Sequence, residues 1–219
     1  MVTLKDVKAN PIVKAFIEKG NAHLEQMGFT DHGPIHVSLV SNLSREILIK
    51  LGYDQRCAEL ASIAGYMHDI GNVISRSGHS QSGALMAVEI LTRMGMDPAE
   101  IAIIAGAIGN HDEGYGHPIN EVAAALILAD KSHVHRNRVR NTDVATFDIH
   151  DRVNYAVEHS VLSIDEKEKV ITMELAIDIN ICPVMEYFEI FLSRMIMCRR
   201  AANFLGCEFE LIINGAKLL

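Results

Sequence analysis

Tryptophan is absent from this chain of 219 residues, and aromatic residues make up only 5% of it. A core without large rings has to be filled by Leu, Ile, Val, Ala and Met, which favours packed helices. Cysteine is sparse as well: Cys57, Cys182, Cys198 and Cys207 are scattered with no CxxC pair. That spacing excludes a zinc ribbon and argues against a disulfide framework in a chain this long. No apolar run is long enough to span a membrane. The first residues, MVTLKDVKANP, lack the apolar segment of a signal peptide, so a cytoplasmic protein without membrane contact is expected. There is no excess of basic residues either. A net charge of −8 argues against a broad phosphate-backbone footprint, and so against long nucleic acid as a partner.

What remains is an ordinary globular composition, 49% hydrophobic and 22% charged, long enough for one large domain or one domain with an appendage. From Pro11 to about Arg140 the pattern is helical. Helices are predicted over Pro11–Met27, from Gly33-Pro34 to Gly52, over Tyr53–Ile70, Ser80–Met94 and Asp97–Gly109, and over Asn120–Lys131. Asp97-Pro98 supplies an N-cap and first turn, and glycines 28, 52 and 71 mark stops. After residue 148 the texture changes. RVNYAVEHSVLSI and VITMELAID alternate apolar and polar residues around the polar DEKEK, which predicts a hairpin. Pro183 to Gly206 returns to helix, and CEFELIING reads as a last strand. The expected architecture is mainly α: a helical domain over residues 1–147 and a small α+β (β-β-α-β) subdomain over 148–219. An exposed strand edge in that tail would favour a homodimer.

The histidines concentrate the chemistry. His32 and His36 flank the start of a helix in DHGPIHVSLV, and His68-Asp69 ends one in AGYMHDIGN. His79 opens one in SGHSQSGA, His111 follows one in GNHDEG, and Asp130 closes an apolar one in LILADKS. Imidazole and carboxylate are costly to bury unless something pairs with them. Helix ends converging on one pocket could surround a metal with mixed N and O donors. Such a set suits Fe, Mn, Zn, Co or Ni. One carboxylate can bridge two ions roughly 3.5–4 Å apart, and Asp69 is the natural bridge. Each element also has a plainer reading, since GHSQSG can cap a helix and NHDEG can be a polar turn.

The order His36, His68-Asp69, Asp130 resembles the HD-domain superfamily of metal-dependent phosphohydrolases, with HDIG as its signature. The similarity covers roughly residues 30 to 140. His79 and His111 resemble the two further histidines of binuclear members, the six-ligand pattern of HD-GYP phosphodiesterases and myo-inositol oxygenase. The resemblance implies one divalent transition metal on His36, His68, Asp69 and Asp130, and a second on Asp69, His79 and His111. It also implies a metal-activated hydroxide that attacks phosphorus in line. His32 resembles the non-ligand histidine that serves the leaving group in cyclic-nucleotide phosphodiesterases. Two features differ: Asn72 stands where many members have lysine, and the GYP segment is absent, so cyclic di-GMP specificity is not carried over.

DKSHVHRNRVR, residues 130 to 140, is a basic island in an acidic chain. Its functional reading is contact with substrate phosphate, Lys131 and Arg136 first. Its plainer reading is a solvated face paired with Asp143, Asp148 or Asp151. His133 and His135 read as surface residues, and His23, His117, His150 and His159 as structural. The expectation is a phosphohydrolase acting on a nucleotide or another small phosphate ester, with Asp69, His32 and Lys131 as catalytic residues and Arg136, Lys131 and His32 on substrate. A diiron oxygenase and a non-catalytic nucleotide sensor are the rival readings.

Overall fold

The computed structural model describes residues 1–219. Helix α1 (Leu4–Ala9), absent from the sequence expectation, is set by a reciprocal cap between Thr3 and Asp6. Then follow α2 (Pro11–Gln26), α3 (Pro34–Lys50), α4 (Gln55–Met67), α5 (His79–Arg93), α6 (Pro98–Gly109) and α7 (Glu121–Ser132). Side-chain caps fix several starts. Asp54 Oδ1 accepts from the amides of Arg56 and Cys57 at 2.8 and 2.9 Å, and Asn120 Oδ1 accepts from Ala123 at 2.7 Å. Asp97 caps α6 as its sequence predicts.

Helix α7 organises the body. From Val122 to Ala129 every residue is buried, so it is apolar all round and passes through the centre of the bundle. It packs against α3, α4 and α6, and its last turn delivers Asp130 and Lys131 to the site. Helix α4 stops at Met67, and a 3₁₀ turn over Ile70–Val73 follows His68-Asp69. Gly71 is needed here for room rather than for freedom to leave the helix. A Cβ at this position would lie 2.0 Å from the His79 carbonyl oxygen and 2.6 Å from the Gly83 amide.

The tail corrects the expected strand order in two places. The segment RVNYA does not open a strand: residues Ile149–Ala156 form helix α8, capped by Asp148, whose Oδ1 accepts from the Asp151 amide at 2.8 Å. Its buried residues are Asp151, Val153, Asn154 and Ala156, and Val153 and Ala156 stand at helical spacing with Val157 just beyond its end. Strands β1 (Val157–Asp165) and β2 (Val170–Ile177) form the antiparallel hairpin, and α9 (Val184–Phe204) crosses back to β3 (Glu208–Ile213), parallel to β2. A short β4 (Ala216–Lys217) completes a sheet of order β1-β2-β3-β4. Asn214-Gly215, both at positive φ, make its tight turn. Helix α9 buries Tyr187, Phe191, Met195, Cys198 and Ala202 along one stripe and packs on α7. The apolar core is continuous across residue 148, a single cluster of 53 buried residues. No helix is long and apolar enough to cross a membrane.

Candidate metal centre

The side chains singled out at helix ends meet in one place. His36 Nε2 lies 3.3 Å from His68 Nε2 and 3.4 Å from Asp130 Oδ1, while His68 Nε2 lies 3.2 Å from Asp69 Oδ2. On the other side, His79 Nε2 lies 3.1 Å from His111 Nε2 and 3.4 Å from Asp69 Oδ1. Asp69 therefore turns one oxygen to each group. His36, His68, Asp69, His79 and His111 are all buried, with Asp130 at the rim.

The backbone aims the rings. Nδ1 of His68, His79 and His111 lies 2.8, 3.0 and 2.6 Å from the carbonyls of Gly65, Arg76 and Ile108. A carbonyl only accepts, so each Nδ1 carries the proton and each Nε2 presents a lone pair inward. His36 differs: its Nδ1 faces Nδ1 of His133 at 2.8 Å, with the two rings stacked. His133 is thus the orienting partner of His36, a role its sequence position gave no sign of. Asn72 donates to Asp69 Oδ1 at 2.8 Å, fixing the carboxylate from below.

This donor set fits divalent cations. Buried lone pairs facing one another at 3.1 and 3.3 Å repel unless a positive charge lies among them. The protein's own substitute is a proton. Burial opposes a charge on His68, but Asp69 and Asp130 outweigh it and lift the imidazole to about 10. Burial holds His36 down at about 4 and His111 well below the usual histidine range. Both carboxylates stay ionised against the cost of burial, Asp69 through His68 and Asp130 through Lys131. His36, His68 and Asp130, and again His68, Asp69 and His111, bring donor atoms within 4.8 Å of one another. There is no thiolate among them, so the set suits Fe, Mn, Co, Ni or Zn.

The other expected residues divide. Lys131 is buried beside the cluster, with Nζ 2.8 Å from Asp130 Oδ2 and 2.6 Å from Glu113 Oε2. His32 Nδ1 donates to the Thr30 carbonyl at 2.7 Å, and its ring stands edge-on to His36. Burial and Arg138 hold His32 neutral, which leaves its Nε2 an acceptor. Arg136 is not at the site. It pairs with Glu158 at 3.0 Å and lies over the Tyr155 ring, because its short 3₁₀ turn faces α8 and β1 instead. The basic island splits accordingly: Arg140 pairs with Asp31 and Glu25, and Arg138 turns inward.

Beside the ligands is a cavity with room for about one water, about 10 Å³, lined by polar and charged side chains alone. It opens toward a larger cavity of about 450 Å³. His32, Arg76, Arg138 and Arg194 line both. Arg76, in the turn before α5, and Arg194, on α9, carry no motif signal of their own in the sequence.

Residues 35–135 match the family model described as HD domain. No curated protein matches the chain.

Proposed function

From the premise that residues 35–135 are an HD domain, a domain of metal-dependent phosphohydrolases, we propose that this protein hydrolyses a small phosphate ester, a nucleotide or a similar compound, with two divalent transition metals. The observation that carries the reading is Asp69, whose two oxygens each serve a separate group of imidazoles. His36, His68, Asp69 Oδ2 and Asp130 would hold one ion; Asp69 Oδ1, His79 and His111 would hold the other. Bound there, divalent cations supply Lewis acidity: they make water a competent nucleophile near neutral pH and withdraw charge from phosphoryl oxygens.

The remaining work falls to the chain itself. Lys131 holds Asp130 Oδ2, so that Oδ1 stays turned to His36 and His68. Asn72 and the backbone carbonyls behind the rings fix Asp69, His68, His79 and His111 before anything binds, and His133 does so for His36. His32, neutral and with a free Nε2, accepts a proton or a hydrogen bond from water at the mouth of the site. Burial and Arg138 oppose a positive charge on this ring, so it stands as a neutral hydrogen-bond acceptor rather than as the acid that protonates the leaving oxygen.

The test is nitrophenolate release from p-nitrophenyl phosphate and from its bis ester, with Mn²⁺, Fe²⁺, Co²⁺, Ni²⁺ or Zn²⁺ supplied in turn and Asp69→Ala as control. Release that needs metal and vanishes in the variant supports the reading and separates monoesterase from diesterase. No release with any metal, together with O₂ uptake by the iron-loaded protein, overturns it in favour of an oxygenase.

A further inference from the structure

Arg138 is buried, 5% exposed, at the junction of the inner and outer cavities. Its Nε and Nη1 donate to the backbone carbonyls of Asp31 and His133, at 3.0 and 2.6 Å, and it bonds no carboxylate. A buried guanidinium without an anion in contact is costly. Nη2 makes no bond within the chain, so part of the guanidinium fork remains available. Asp69 and Asp130 lie near enough to act on it, but they are committed to the imidazoles and Lys131. Arg194 reaches the same junction from α9, held by Glu113 at 2.8 Å and by the face of Phe191. Arg76 reaches it from the turn before α5 and lies over Phe29. The larger cavity is lined as well by acceptors from α8 and its cap, Asp148, Asp151 and Asn154, with His150 among them.

We propose that Arg138 and Arg194 clamp the phosphate dianion of a monoester, and that the outer cavity holds a compact organic group whose hydroxyl or amino donors meet Asp148, Asp151 and Asn154. The inference rests on the hydrolase reading for the chemistry and adds to it the class of substrate. It also gives the C-terminal segment a function, since Arg194 and the acceptors on α8 lie outside residues 35–135. A planar fork reads phosphate oxygens in pairs, and a dianion offers more of them than a diester does. A cavity of about 450 Å³ is the size that takes a nucleoside or a polyol and excludes a polymer.

The experiment is equilibrium binding, by titration calorimetry to the full chain loaded with Mn²⁺, of inorganic phosphate and of two ester mimics, a nucleoside 5′-monophosphate and a hexose 6-phosphate, each with a non-hydrolysable methylene in place of the ester oxygen. Arg138→Met and Arg194→Met are each expected to bind phosphate about tenfold more weakly or worse while keeping the Mn²⁺ stoichiometry. At least one mimic is expected to bind tighter than phosphate, and Asp151→Ala to erase that gain. Which mimic gains tells a nucleoside from a polyol. Unchanged phosphate affinity in the arginine variants overturns the clamp, and so does wild-type protein that binds Mn²⁺ but no phosphate. Mimics that bind no tighter than phosphate overturn the role of the outer cavity. Should Arg138→Met fail to fold, Arg194→Met, whose side chain is partly exposed, decides. Mn²⁺ binding and ester hydrolysis by the wild type report separately on the hydrolase reading.

Discussion

Lys131 Nζ sits 2.6 Å from Glu113 Oε2 and 2.8 Å from Asp130 Oδ2, so one buried cation joins the loop after α6 to the carboxylate at the rim of the His/Asp cluster. Arg194 adds α9 to the same network through Glu113. Removing one partner of such a network leaves charges stranded. Lys131→Met is expected to lower unfolding stability by about 3 kcal/mol, read from urea titration. A surface lysine in its place would cost far less.

The same network predicts an acid limb. Burial works against the Glu113 carboxylate, but Lys131 and Arg194 outweigh it and hold its pKa well below the usual glutamate range. A depressed carboxylate pKa gives stability that is present above the unfolded value, 4.5, and lost as pH falls toward the folded one. Glu113→Gln should therefore flatten the loss of stability below about pH 4.5 seen in the wild type. Parallel denaturation series at pH 3 to 7 would check it; equal slopes in the two proteins would refute it.

Gly71 gives a packing prediction. Gly71→Ala places a methyl group 2.0 Å from the His79 carbonyl, and backbone cannot swing aside as a side chain can. A loss of about 1–3 kcal/mol is expected, with weaker metal binding because His79 moves. Thermal melts with and without Mn²⁺ would separate the two effects: the variant should gain less from the metal than the wild type.

Metal content should track the two halves of the cluster. Elemental analysis is expected to find about two ions per chain in the wild type and about one in His79→Ala. Asp69→Ala, which removes a donor from both halves, should hold none firmly. Equal content in Asp69→Ala and His79→Ala would mean that the carboxylate does not bridge.

Metal binding should also release a proton. In the metal-free protein His68 is lifted to about 10 by Asp69 and Asp130 against the cost of burial, so it is charged at neutral pH. An imidazole must be neutral to bind, hence affinity should rise with pH up to about 10, by close to tenfold per unit. Calorimetry in two buffers of different ionisation enthalpy counts the protons directly. In the metal-free protein the sign is reversed: this raised pKa stabilises below about 6.5, and the contribution fades as pH climbs through about 10.

Much of this was legible in the sequence because helix ends carry local signals. Caps and prolines located α2, α6 and α7 to within a residue or two, and their ends carry His111 and Asp130. The segment around α8 reads as a strand because Val153, Tyr155 and Val157 alternate with Asn154 and Ala156, but Val153, Ala156 and Val157 also fit a helical spacing, and the Asp148 cap starts a helix at Ile149. The six candidate ligands stood out by residue type and order. Their supporting contacts did not: His133 beside His36, and Arg138 and Arg194 at the cavity, are joined across 81 residues or more by the packing of α7 against α3 and α9. The sequence expectation put Lys131 and Arg136 first on phosphate, and nothing in the basic island itself separates Arg136 from Arg138. At three residues per turn the two stand about 120° apart, and Arg138 turns to the cavity while Arg136 turns to Glu158.

Asp69 has one negative charge and two oxygens, and each oxygen faces its own pair of imidazoles. Electron density drawn to one side is lost to the other. If each half takes an ion, their occupancies are linked, and the linkage is reciprocal: the first arrival weakens the second by the factor with which the second weakens the first. Loading should then proceed in two separated steps rather than one, which leaves a stable half-filled form and lets two different elements share the pair.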